Sequence, residues 1–225
     1  MEVGLIKSFL KKALLGKGRK IRKIPLGLFA GLKLSVDPSS ETSLWLGLYE
    51  AELTPWLRKA GRQARSVVDV GAGHGEMTVW ALRQPGVTRV LAYEPDEARW
   101  PFFWANLQAN GLDRDARLLG VKDFLTPERA RKELASLPEP VLLKLDVEGA
   151  ERKILQQLEG LLGEKEFWIL VEVHSAAIRD ETEARVRNCG YRVQPIRRAW
   201  WRWLLPERRV LDFNQWFVAE KIRGG

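Results

Sequence analysis

The sequence is poor in cysteine and histidine, and it lacks any long apolar run. A single cysteine, Cys189, in 225 residues can form no internal disulfide and excludes a Cys-rich zinc framework. That usage suits a reducing compartment, so the chain is expected to be cytoplasmic. No uninterrupted apolar stretch approaches the roughly 20 residues that span a bilayer. Lys7, Lys11, Lys12 and Lys17 punctuate the N-terminal apolar residues, which argues against a plain signal peptide. What remains is a chain with 45% hydrophobic residues, enough for one domain of ordinary size with a proper core.

The formal charge of +8 is unevenly placed. Residues 1–24 carry +7 and residues 192–209 carry +5, so the body, 25–191, is left at −4 with the last sixteen residues neutral. A basic protein suggests an anionic partner, but here only the two ends could meet one.

Along the chain, Leu5, Ile6, Phe9, Leu10, Ala13 and Leu14 recur at helical spacing with lysines opposite, predicting a basic amphipathic helix within a segment 1–24. Residues 25–60 form an extension: the apolar, glycine-punctuated stretch 24–36 reads as a small hairpin, and a helix follows through about Ala60. From 61 to 225 short apolar runs alternate with helical patterns. Val67–Val70, Val90–Tyr93, Leu118–Val121, Val141–Leu145 and Trp168–Val173 read as strands, with helices near 75–84, 97–110, 127–136, 149–161 and 180–189. That alternation predicts an α/β fold with a doubly wound, mostly parallel sheet.

Four motifs carry chemistry. Val67-Val-Asp-Val-Gly-Ala-Gly-His-Gly75 leads a buried strand into a glycine turn and a helix N-terminus, which can bring backbone N–H groups close to a ligand. Asp69 in that strand would repel a pyrophosphate but suits a ligand with an ammonium group. Glu94, in Tyr93-Glu-Pro, ends the next strand where nucleotide-binding folds place a ribose-binding acid. Lys144 and Asp146 share one strand face, as do Glu172 and His174. Charges in apolar strands are costly to bury unless paired or functional, and ligands of open α/β sheets bind beyond the strands' carboxyl ends.

This series, with Lys144-Leu-Asp-Val-Glu-Gly-Ala-Glu151 and Val171-Glu-Val-His174, resembles the FkbM family of S-adenosylmethionine-dependent methyltransferases. The resemblance covers about residues 45–219, including Gly47-Leu-Tyr-Glu50 and Asn106/Asn110. It implies a seven-stranded class I sheet with a reversed last hairpin, from Tyr191–Pro195 and Asn214–Ala219. It also implies that Asp69, Gly71, Ala72 and Gly73 cradle the methionine part of S-adenosylmethionine, that Glu94 holds the ribose and that Asp123 meets the adenine. Asp146 would stand beside the sulfonium, and Glu50 and His74 complete the cofactor-contacting set. Such enzymes mostly methylate hydroxyls of sugars or natural products, so a small-molecule or glycan acceptor is expected. His174 is expected to act as general base, oriented by Glu172 or Asp146. A divalent metal held by Asp146, Glu148, Glu172 and His174 is a variant that their spacing does not demand.

Rival readings are nucleic-acid methylation, with the basic ends on phosphates, and a cofactor-binding adaptor without turnover. The chain lacks the Asn/Asp-Pro-Pro-aromatic motif of exocyclic-amine methylation and the Pro-Cys nucleophile of cytosine methylation. Segments 1–24 and 196–209, the latter with Trp200, Trp201 and Trp203, fit peripheral docking on an anionic membrane at its inner face. They fit equally well a contact with each other or a homodimer interface.

Overall fold

The computed structural model describes residues 18–147, 149–197, 199 and 215–222. The amphipathic helix read over 5–15, Glu148 and the Trp-rich part of 196–209 lie outside the described residues.

Seven strands form one sheet: β3 (Ser66–Val70), β4 (Arg89–Tyr93), β5 (Leu118–Val121), β6 (Val141–Leu145), β7 (Phe167–Val173), β8 (Tyr191–Ile196) and β9 (Gln215–Lys221), in the order β5-β4-β3-β6-β7-β9-β8. The first five run parallel, and β9 is antiparallel to both β7 and β8. The strands are short continuous runs of Val, Leu and Ile because both faces are covered. Strand alternation sorts these residues into two cores. Val67, Val90, Ala92, Leu142, Leu170 and Val218 face one side, and Val68, Leu91, Leu143, Ile169, Val171 and Phe217 face the other.

Before the sheet come a two-stranded hairpin, β1 (Lys20–Lys23) and β2 (Lys33–Val36), the short helix α1 (Thr42–Leu46), and α2 (Thr54–Gln63). Within and after the parallel strands lie α3 (Glu76–Leu82), α4 (Trp100–Ala109), α5 (Pro127–Ala135), α6 (Glu151–Glu164) and α7 (Ala176–Asn188). The first core is roofed by the hairpin loop, α2, α3 and α4, and the second by α5, α6 and α7. Asp69, Lys144 and Glu172 share strand parity with the first core, so the N-terminal extension covers the face that carries them.

The hairpin differs from its sequence reading. Its strands begin at Lys20, inside the segment read as merely basic, and the apolar stretch 24–32 is the connection between them. That connection supplies the apolar material: Ile24, Phe29 and Leu32 are buried in the first core. Two asparagines tie the hairpin down. The Ser35 N–H donates to Asn106 Oδ1 at 2.6 Å and the Lys33 N–H to Asn110 Oδ1 at 3.1 Å. Asn106 Nδ2 in turn donates to the His74 carbonyl at 2.7 Å, which links hairpin, α4 and glycine turn. Helix α7 starts four residues before its predicted position, because the Ser175 hydroxyl caps it by accepting from the Ile178 N–H.

Candidate active site

The glycine turn follows β3, with Gly71, Gly73 and Gly75 all at positive φ. Gly71 cannot be replaced without disruption: a Cβ there would stand 2.0 Å from the Asp146 carbonyl oxygen. This close approach pins the end of β3 to the end of β6. The turn's amides serve the protein more than the sequence suggests. The N–H groups of Gly71 and Ala72 both donate to the Tyr93 carbonyl, and that of Gly75 to the Ala72 carbonyl. The Gly73 N–H donates to Glu94 Oε2 at 2.8 Å. These four amides are therefore engaged within the chain rather than displayed to a ligand.

A cavity of about 260 Å³ lies over the turn. Its wall includes Glu50, Asp69, Gly71, Ala72, Gly73, His74, Lys144 and Asp146. Seven of the nine expected cofactor-contacting residues line it, among them Glu50, which stands twenty positions before Val70, the last residue of β3. The other two do not. Glu94 is buried and also accepts from the Asp96 N–H at 2.9 Å, bracing the turn from behind. Asp123 is exposed and paired with Arg129 at 2.9 Å. Sequence reasoning missed Tyr49, Glu41, Glu76 and Arg99, which also line the cavity. Tyr49 lies within a quoted motif and Glu76 directly follows one, whereas Glu41 and Arg99 lie in stretches without a motif.

The cavity is rich in carboxylates around one buried cation. Lys144 Nζ lies 3.1 Å from the Gly71 carbonyl, 3.4 Å from Asp146 Oδ2 and 3.5 Å from Asp69 Oδ1. Burial alone would lower its pKa, but Asp146, then Asp69, Glu50 and Glu172 outweigh that and hold it protonated. For Asp146 burial works upward, while Lys144 and hydrogen bonding with Glu172 bring it below the usual carboxylate range. Asp69 is fully buried; Thr78 Oγ1 donates to its Oδ2 at 2.7 Å, and its Oδ1 has the Lys144 ion pair but no hydrogen bond among the described residues. The Glu76 carboxyl is raised to about 7, first by burial and then by Glu41 and Asp69. Burial, then the Arg19 guanidinium, push the His74 imidazole below its ordinary value. Glu50 sits at φ 47° and ψ 37°, the one non-glycine residue at positive φ among those described. Such a conformation costs about 1–2 kcal/mol outside glycine and clusters at functional positions.

Beyond the cavity, at the ends of β6 and β7, ligand atoms of Asp146, Glu172 and His174 all lie within 4.8 Å of one another. Asp146 belongs to both groups and joins them. His174 Nδ1 pairs with Glu151 Oε1 at 3.0 Å, a partner that the sequence reading did not name. Glu151 is fully buried at the first turn of α6. It lies inside the motif Asp146–Glu151, and only the packing of α6 behind β7 reveals its role.

A seven-stranded sheet with a reversed last hairpin and an acid-lined cavity over the glycine turn defines a class I methyltransferase fold, Rossmann-like in its doubly wound order. Residues 130–193 match the family described as Methyltransferase FkbM domain, which bears out the resemblance read from the motifs and supports methyltransferase activity. No curated protein matches the chain. Among solved structures, the fold is similar to the methyltransferase FkbM from Methylobacillus flagellatus KT, at 16% identity and TM-score 0.54, covering 69% of this chain and 43% of that one. It is also similar to a SAM-dependent O-methyltransferase from Thermotoga maritima, at 15% identity and TM-score 0.51, covering 78% and 66%. A third likeness is to TYW2 from M. jannaschii in complex with AdoMet, at 14% identity and TM-score 0.51, covering 92% and 88%. At these identities the likeness establishes the fold.

Proposed function

We propose that the chain transfers a methyl group from S-adenosylmethionine to a hydroxyl oxygen of a sugar, glycan or natural product. The observation that carries the reading is the shared residue Asp146, which lines the glycine-turn cavity and belongs to the cluster with Glu172 and His174.

The residues present fit this cofactor. An ammonium and a sulfonium are cationic, and the cavity offers Asp69, Glu50 and Asp146 against the single buried Lys144. Asp69 Oδ1 in particular is buried without a hydrogen-bond donor among the described residues. A Cβ on Gly73 would meet only Arg99, at 3.5 Å, so the turn presents open space there. Asp69, Glu50 and the turn 71–74 would hold the cofactor, which supplies an electrophilic methyl group.

The chain's own contribution is alignment and proton removal. In-line displacement gains much of its rate from positioning, and the fixed ends of β3 and β6 provide a rigid frame. A neutral hydroxyl must also lose its proton as it attacks. The Asp146–Glu172–His174 cluster is the group we assign to draw it off, with the imidazole fixed by Glu151. The same carboxylates disfavour a phosphate-rich acceptor through like-charge repulsion, which argues against nucleic acid at this site.

The test is incubation with methyl-labelled S-adenosylmethionine and a panel of glycosides, polyphenols and RNA. Label is expected in a methyl ether of a hydroxylated small molecule. Label confined to RNA, or to nitrogen, overturns the reading.

A further inference from the structure

We propose that Asp146, Glu172 and His174 form a binding site for a divalent first-row cation. The inference rests on the methyl-transfer reading and specifies how the cluster would act on the acceptor hydroxyl.

Three separate observations support it. The first is convergence: two carboxylates and an imidazole, from the ends of the neighbouring strands β6 and β7, bring their ligand atoms within 4.8 Å of one another. An ion with bonds of about 2.1 Å holds cis ligand pairs about 3.0 Å apart and a trans pair about 4.2 Å apart, so the set closes around an ion by side-chain adjustment.

The second is the support behind the imidazole. His174 Nδ1 is engaged by Glu151 Oε1 at 3.0 Å, which fixes the ring and assigns the Nε2 lone pair to a ligand. A carboxylate behind a histidine is the recurrent arrangement at metal sites, where it orients the ring and raises its basicity. Glu151 is wholly buried and its Oε2 has no hydrogen-bond partner among the described residues.

The third is charge placement. Lys144 is directed at Asp146 and Asp69, on the glycine-turn side. Glu172, His174 and Glu151 are not in the cavity wall, so a cofactor seated there does not occupy the cluster. Glu172 is almost fully buried, whereas the Asp146 side chain is 32% exposed, which leaves an entry path for an ion.

Two oxygens and one nitrogen suit Mn²⁺, Fe²⁺ or Zn²⁺ better than Ca²⁺, which prefers oxygen donors alone. Three protein ligands leave coordination positions for the acceptor hydroxyl. In the ion-loaded site His174 is a ligand rather than the general base: coordination would lower the hydroxyl's pKa, its proton would pass to a water or buffer base, and no electron is transferred.

The experiment is Mn²⁺ titration of the full, chelator-stripped chain by electron paramagnetic resonance, without S-adenosylmethionine or acceptor. One Mn²⁺ per chain is expected, with nitrogen hyperfine coupling from His174. Glu172→Gln and His174→Ala should each weaken binding at least tenfold, while the exposed Asp180→Asn should not change it. Absence of stoichiometric binding to the folded wild-type chain, or binding without nitrogen coupling, overturns the proposal. Because no methyl transfer is measured, such a failure is separate from failure of the methyltransferase reading.

Discussion

Glu151 Oε1 lies 3.0 Å from His174 Nδ1, and this pair ties the first turn of α6 to the end of β7. The bond selects the ring's orientation and leaves one nitrogen for chemistry. Replacing Glu151 by Gln keeps the shape but removes the anion behind the ring. Turnover is expected to fall about 10- to 100-fold with the circular dichroism spectrum unchanged. Activity at the wild-type level would show that the contact serves packing alone.

Glu50 holds left-handed backbone geometry while lining the cavity. Glu50→Gly relieves the backbone cost, so the chain should gain about 1 kcal/mol of stability. Removal of the carboxylate should at the same time weaken S-adenosylmethionine binding. Urea denaturation and calorimetric titration measure the two effects separately. A variant that binds normally would separate the strain from the site.

Gly71→Ala is expected to cost about 3 kcal/mol, because the added methyl would meet the Asp146 carbonyl at 2.0 Å in a backbone region closed to alanine. The effect should appear as a lowered denaturation midpoint. A midpoint within experimental error of the wild type would mean that the β3 and β6 ends are not fixed as described.

Glu76 provides a pH dependence. Its carboxyl is raised from an ordinary 4.5 to about 7, chiefly by burial. The folded chain therefore holds this proton more tightly than the unfolded chain, and stability falls as pH rises from 4.5 to 7. Above that range the charged group costs up to about 3 kcal/mol, less for the 18% of its side chain that is exposed. Glu76→Gln should thus stabilise at pH 8 and be nearly neutral at pH 4.5. Equal midpoint shifts at both pH values would contradict this origin.

Asn106→Ala removes a buried acceptor from the Ser35 N–H and a donor to the His74 carbonyl. A loss of about 2–3 kcal/mol is expected. Protection of the Ser35 amide in hydrogen exchange should fall with it, and retained protection would show that the hairpin is held by its apolar contacts instead.

Much of the sheet was legible because its central strands are apolar runs of four to seven residues between turn signals. β1 was not, since Lys20-Ile-Arg-Lys23 has the composition of a solvated basic stretch and gains its structure by pairing with β2. The start of α7 depends on a single hydroxyl at Ser175, a weak signal beside the apolar pattern. At the site, strand alternation placed Lys144 with Asp146 and Glu172 with His174, while the common face of Asp69, Lys144 and Glu172 follows from the register of β3, β6 and β7. Glu151 and His174 are 23 residues apart, and no periodicity links a helix start to the end of the next strand. The engaged amides of the glycine turn were likewise hidden, because three of the four donate to Tyr93 and Glu94.

The insertion of β9 between β7 and β8 has a consequence for biosynthesis. β7 and β8 are made first, yet neither pairs with the other; each waits for Gln215–Lys221 to fill the gap. A nascent chain halted before residue 215 would expose the backbone edge of β7, the strand that ends at the candidate site. Exposed edges invite pairing between chains, so premature release at this point should yield aggregates rather than a folded core.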